Sequence, residues 1–244
     1  GRLILRDVGL SQGRSFTVYI SVAETVADGG GGTVPSRLQM LSVGVLDDGR
    51  SLEEVVGPAT WAELVAAMEQ TGLDASMVRF MKPWMAALSV ASLELVNAGY
   101  LPSAGLDAHL DQRAKEAGKQ RAAFETAEVQ VNFFANLTEA ESLAFLRYTL
   151  ADLETMIPLL DDLYRRWRVG DASVVEGLLA KELAEFPELY RKLVTDRNRA
   201  WLPEVEALLA GDRDAMVVVG SLHLVGSEGL VELLRKRGYT VTQM

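Results

Sequence analysis

The sequence predicts a helix-rich α/β fold, with a small, mostly parallel sheet flanked by helical hairpins. Three observations predict it. Ala215-Met216-Val217-Val218-Val219 is an unbroken apolar run, the pattern of a strand buried on both faces. It leads through Gly220 into a leucine-bearing helix and then into Tyr239-Thr240-Val241, a β-loop-α-β unit. Between 138 and 210, Leu, Ala and Trp recur at intervals of three and four, the period of amphipathic helices.

Phe16 to Val22 is β-branched and aromatic and reads as a strand. Gly29 to Gly32 read as a loop, Leu41 to Leu46 as a second short strand, and Asp47-Asp48-Gly49 as a turn. Pro58 and Gly72 bracket a helix over 59–70. Pro83 opens another that runs through Trp84, Leu88 and Leu95 to a cap at Gly99. Asp107 suits the N-cap of a helix ending at Gly118, and Gln120 to Phe124 reads as a short buried strand. Thr138 and Glu141 have capping-box spacing and begin a helix that reaches Trp167, with Pro158 as a bend. Pro187 and Pro203 mark further starts or bends. Ser227 or Glu228 starts the last helix, and Gly238 caps it. The whole, 1–244, reads as one domain.

Composition narrows the function classes. The chain has 244 residues, 49% of them apolar, enough for a substantial core. Its net charge of −10 disfavours phosphate backbones and anionic membrane surfaces as partners. No apolar run is long enough to cross a bilayer, and no secretory signal pattern opens the sequence. The absence of cysteine excludes disulfides, thiolate metal sites and a cysteine nucleophile. Gly1 in place of a Met suggests that residues upstream have been removed.

The two histidines are His109 and His223. His223 follows the buried run by a few residues and precedes a helix, where ligands of open α/β sheets bind. Gly220 and Gly226 would let a bound group come close to the backbone. A neutral imidazole there could ligate a metal or move a proton, or merely bond a neighbouring loop carbonyl. One histidine with carboxylate or amide companions favours manganese, magnesium or calcium over zinc, and no organic cofactor.

Val219-Gly220-Ser221-Leu222-His223-Leu224-Val225-Gly226, then Gly229-Leu230, Leu233-Leu234 and Arg237-Gly238-Tyr239-Thr240-Val241, resembles the C-terminal signature of the TraB/GumN family, which is related to the Tiki proteases. Asp196-Arg197-Asn198-Arg199-Ala200-Trp201 is similar to that family's Arg-Asn-x-x-Trp box, and Phe124-Glu125-Thr126-Ala127-Glu128-Val129-Gln130 to its Glu-Thr-x-Glu-x-Gln box. Lys82-Pro83-Trp84 and Gly105-Leu106-Asp107 also fit, so the resemblance covers roughly residues 47–244.

The resemblance implies metal-assisted hydrolysis of a peptide or small-molecule substrate. His223 and Glu125 would ligate the metal, Glu125 could instead be the general base, and Arg197 would stabilise an oxyanion with Asn198 beside it. It also suggests a periplasmic or exported location. The family's earlier Gly-Thr-x-His does not occur, since no histidine precedes His109. Either the chain starts downstream of that motif or the motif has been lost, and the loss would make this a non-catalytic binding or scaffold protein. An unpaired sheet edge would then favour a homodimer.

Bland roles compete with several of these. Arg197 could pair with a structural carboxylate, Asn198 could cap a helix or turn, and Glu125 could accept helix N-terminal amides. Glu128 reads as a solvated face, Asp107 as an N-cap and His109 as surface, while Trp84, Trp167 and Trp201 are core candidates.

Overall fold

The computed structural model describes residues 43–101 and 104–243. Among them the chain is helical: α1 (Leu52–Gln70), α2 (Pro83–Asn97), α3 (Leu106–Glu116), α4 (Ala127–Ala135), α5 (Glu139–Trp167), α6 (Ser173–Glu185), α7 (Pro187–Tyr190), α8 (Asp196–Leu209) and α9 (Leu230–Lys236). Short 3-10 turns cover Ala75–Val78 and Ser221–His223, and a π-turn covers Arg191–Thr195. No helix among the described residues is long and apolar enough to cross a membrane.

The expected sheet is not there: the described residues form no strand, and an isolated antiparallel bridge joins Val45 to Met81. Ala215 to Val219 is partly to fully buried, as are Tyr239 and Val241, but not as ladder partners. Val217, Tyr239 and Val241 pack instead on Leu202, Val205, Leu209 and Leu234. Gln120 to Phe124 is likewise irregular, and Phe124 joins that same cluster. An unbroken apolar run reports burial, whereas a strand also needs a neighbouring backbone at the right spacing to exchange hydrogen bonds. The α/β reading mistook the first for the second. The strand at Phe16 to Val22, the loop at Gly29 to Gly32, and Leu41 and Ser42 lie outside the described residues.

Helix ends follow the punctuation closely. Thr138 and Glu141 form the capping box, with the Thr138 N–H donating to Glu141 Oε2 (2.8 Å) and the Glu141 N–H to Thr138 Oγ1 (3.2 Å). Pro83 stands at the first position of α2, and Gly72, Gly99, Gly118 and Gly238 end their helices with positive φ. Helix α1 starts seven residues ahead of the expected 59. Ser51 and Glu54 make a second capping box, and Gly57 (φ 80°, ψ 164°) kinks the helix just before Pro58. Pro158 and Pro203 lie on exposed turns, and α5 and α8 continue past them. Asp107 sits in the first turn of α3 rather than before it.

The contacts divide the chain into two compact units. One gathers Leu106–Phe124 with the chain from Leu160 on; the other gathers the described residues up to Gly105 with Glu125–Leu159. The core of the second is built by Leu52, Leu64, Met68, Val78, Val90 and Leu146 from α1, α2, α5 and the first 3-10 turn. Trp84, 3% exposed, stacks there on Phe134 at 5.9 Å. In the first unit one cluster lies on α8 and α9, and a second joins Leu179, Tyr190 and Val194 with Leu222 and Val225. Leu146 has no exposed surface. Leu146→Ala is expected to cost about 2–5 kcal/mol in urea unfolding; a loss below about 1 kcal/mol would show that this core is loosely built.

Candidate functional site

Two consecutive segments of the first unit build the site: α8 with the π-turn before it, and the loop from Gly220 to Gly229. Along α8, Asn198, Trp201, Leu202, Val205 and Leu209 are buried at spacings of three and four, which defines its inner face. Asn198 is the polar exception on that face, with no exposed surface. The π-turn comes directly before. There the Asp196 N–H reaches back to the Arg191 carbonyl, five residues instead of four.

The loop opens with a 3-10 turn in which the His223 N–H donates to the Gly220 carbonyl (2.9 Å). Gly226 has φ +79°, and a side chain there would meet Leu179 Cδ2 at 2.5 Å; at Gly229 a Cβ would strike the Leu224 and Val225 carbonyls. Gly220 was expected to be needed as well, but its φ of −55° suits any residue. The expected position of His223 at the mouth of a sheet gives way to a seat on a helix face.

The Asn198 amide ties the loop to the helix. Its Nδ2 donates to the His223 carbonyl (3.2 Å) and to the Glu228 carbonyl (2.8 Å). These two bonds settle which end of the amide is nitrogen, so Oδ1 must be the atom 2.7 Å from His223 Nδ1. Nδ1 therefore carries the proton and donates, and Nε2 keeps the lone pair. Next door, Arg199 holds the Glu228 carboxylate through Nε (3.1 Å) and Nη2 (2.8 Å).

Arg197 faces that lone pair. Its Nη1 lies 3.4 Å from His223 Nε2 and donates to the Leu193 carbonyl of the π-turn (3.0 Å). The guanidinium carbon stands 4.8 Å from the centre of the Trp201 ring, a cation–π contact that the i, i+4 spacing makes available. Trp201 also lies 4.5 Å from the His223 ring, and Phe124 stacks on it at 5.5 Å. Burial, helped by the Arg197 charge, lowers the His223 pKa from 6.5 to about 3. The imidazole is therefore neutral at physiological pH.

Of the residues singled out in the sequence, the structure brings His223, Arg197 and Asn198 together. Arg197 reaches the His223 ring and the Leu193 carbonyl. Glu125 belongs to the other unit, half-buried, one residue ahead of Thr126, whose hydroxyl caps α4 by accepting from the Val129 N–H (3.2 Å). Glu128 and His109 are exposed, as expected of surface groups. Trp201 is core as expected, 2% exposed, but Trp167 is 36% exposed and stacks on Tyr164 at the end of α5. Sequence reasoning missed the indole as part of the site, although Arg197-x-x-x-Trp201 is a helical neighbour pair. It also missed Glu228, whose carbonyl Asn198 holds.

Among the described residues, no three or more His, Asp or Glu side chains come together as a metal-ligand group. The described donors therefore do not fit a complete divalent-metal centre. The one lone pair that His223 offers has a guanidinium against it.

A family model described as TraB/PrgY/gumN family matches residues 30–243. The uncharacterized protein YbaP of Escherichia coli is 27% identical over 185 residues, 76% of this chain and 68% of the relative. The human metalloprotease TIKI1 is 27% identical over 189 residues, and the metalloprotease TIKI homolog of Amphimedon queenslandica 24% over the same length. These cover 66% and 67% of this chain but 37% of each relative. No solved structure matches it significantly.

Two outcomes test the geometry. Asn198→Asp keeps the acceptor for Nδ1–H but removes both N–H donors. It should cost roughly 2–6 kcal/mol in urea unfolding, since two buried carbonyls lose their partners, and raise the His223 pKa, read from ring NMR signals; an unchanged titration would refute the Asn198–Nδ1 bond. The pH dependence follows from linkage. The folded-state pKa lies below the unfolded one, so the unfolded chain binds the proton first as pH falls. The His223 contribution to stability is complete above pH about 6.5 and is lost progressively towards pH about 3. His223→Gln should flatten that part of the stability–pH curve; an equal slope in both proteins would contradict the buried neutral ring.

Proposed function

This chain belongs to the TraB/PrgY/gumN family, and from that premise we propose that it is a hydrolase of peptide or related carbonyl substrates, working through the His223 loop. The observation that carries the reading is the imidazole held in one tautomer by Asn198, with Nε2 turned to Arg197. The likeness to proteins named metalloproteases supports it.

The proposed roles follow from the contacts. Asn198 is a positioning residue: it fixes the ring and both ends of the loop. Arg197 supplies N–H donors to the oxygen that becomes negative when a carbonyl is attacked, the kind of preorganised donor that lowers such barriers. A ring with a pKa of about 3 is a poor proton acceptor at neutral pH. The reading therefore assigns His223 the role of a lone-pair donor rather than a general base. Glu125 rests on its Glu-Thr-x-Glu-x-Gln box alone, as base or ligand. A divalent cation of the manganese, magnesium or calcium kind belongs to this reading by the likeness to metalloproteases. The described donors do not complete a centre for such an ion.

One observation favours a second reading, a binding protein without turnover: the Nε2 lone pair already faces a guanidinium. Assays of unstructured peptides with no added metal, and with manganese, magnesium and calcium in turn, separate the two. The hydrolase reading expects cleavage that falls about a hundredfold or more in His223→Ala, with Glu125→Gln testing the carboxylate separately. Silence of the wild-type protein under every condition, or full activity in His223→Ala, would leave the binding reading in its place.

A further inference from the structure

A positive group stands where the sequence led us to expect a metal ion. Nδ1–H is committed to Asn198 Oδ1 at 2.7 Å, so Nε2 is the one nitrogen of His223 with a lone pair to give. Arg197 Nη1 is 3.4 Å from it. Two further contacts hold the guanidinium there: the Leu193 carbonyl at 3.0 Å and the Trp201 ring at 4.8 Å. Trp201 packs on the His223 ring as well, tilted at 43° with centroids 4.5 Å apart, so imidazole, indole and guanidinium form one cluster. His223 is buried and Arg197 half-buried, so water screens the space between them poorly.

We infer that Arg197 is the resident cation of the His223 site, and that a divalent metal ion and the Arg197–Nε2 contact exclude each other. A dication on Nε2 would meet a fixed positive charge a few ångströms away. A guanidinium keeps its charge in proteins, so the side chain cannot relieve the repulsion by losing a proton. The other escape is for the side chain to swing away, which gives up the Trp201 contact and the Leu193 bond together. Among the described residues no group of three or more His, Asp or Glu side chains forms that could hold the ion. The inference goes beyond the hydrolase reading and holds whether or not any peptide is cleaved.

Manganese chloride titrated into full-length protein labelled with 15N-histidine tests it. The chain has two histidines, so His223→Ala assigns the ring signals. His109, exposed on α3, reports unspecific attraction of manganese to the acidic surface. Arg197→Met is expected to lower the manganese concentration that broadens the His223 signals by about tenfold or more, with the His109 response unchanged. Arg197→Lys, which keeps the charge, should stay nearer the wild type. An unchanged or higher concentration in Arg197→Met, or a His223 ring that responds in neither protein, overturns the inference. If Arg197→Met fails to fold, the wild type decides. Broadening of His223 that is complete at one equivalent of manganese, at micromolar protein, overturns it, and broadening no stronger than that of His109 supports it.

Discussion

One buried amide organises the site. Asn198 has no exposed surface, and it bonds the ring of His223, the backbone of the same residue and the carbonyl of Glu228. A buried amide must find partners for its donors and its acceptor, because each left unmade costs the full desolvation of that group. The same three bonds that satisfy Asn198 decide the tautomer of His223, the side on which its lone pair emerges and the closure of the loop onto α8. Gly226 and Gly229 are the counterpart on the loop side, since a side chain at either would collide with Leu179 or with the Leu224 and Val225 carbonyls.

Around that amide, two features set what the imidazole meets. The π-turn at Arg191–Thr195 lengthens one turn of the helix immediately ahead of Arg197, and its Leu193 carbonyl holds the guanidinium. Single π-turns inserted in α-helices recur at functional sites because they re-aim the residues that follow. Trp201 provides the surface on which ring and guanidinium rest, with Phe124 behind it. Below lies ordinary apolar packing of α8 and α9 with Val217, Tyr239 and Val241. The polar cluster is thus carried by a helix that is anchored by its own buried stripe, a rigid support for a geometry that depends on tenths of an ångström.

Much of the site was legible, and the limits of that legibility are physical. Arg197 and Trp201 stand four apart on a helix, so their contact could be anticipated. Asn198 interrupts an apolar stripe at a core position, which marks a polar group that must be bonded inside. His223 between Gly220 and Gly226 stood out by the scarcity of histidine alone. The depressed pKa could not be read in advance, because it depends on how much water is excluded from the ring and on a charge brought there by folding. Nor could the guanidinium at Nε2 be foreseen. Sequence distance between 197 and 223 says nothing of which atom of the ring faces the helix.

By itself the sequence determined where helices end, which segments lie inside and which residue types the site contains. Proline at the first position of α2, glycines with positive φ after α1, α2, α3 and α9, and the Thr138–Glu141 box act within a few residues, so local chemistry decides them. Tertiary structure alone decided what the buried segments do once inside. Ala215 to Val219 has the composition of a central strand, yet it forms no ladder, and Val217 packs on the apolar face of α8 and α9. A backbone ladder needs a second segment in register, and no local property of the first can supply one. In the same way, the side of His223 that carries its lone pair, and the cation placed against it, come from contacts between residues 25 or more positions apart, which only the folded chain brings within bonding distance.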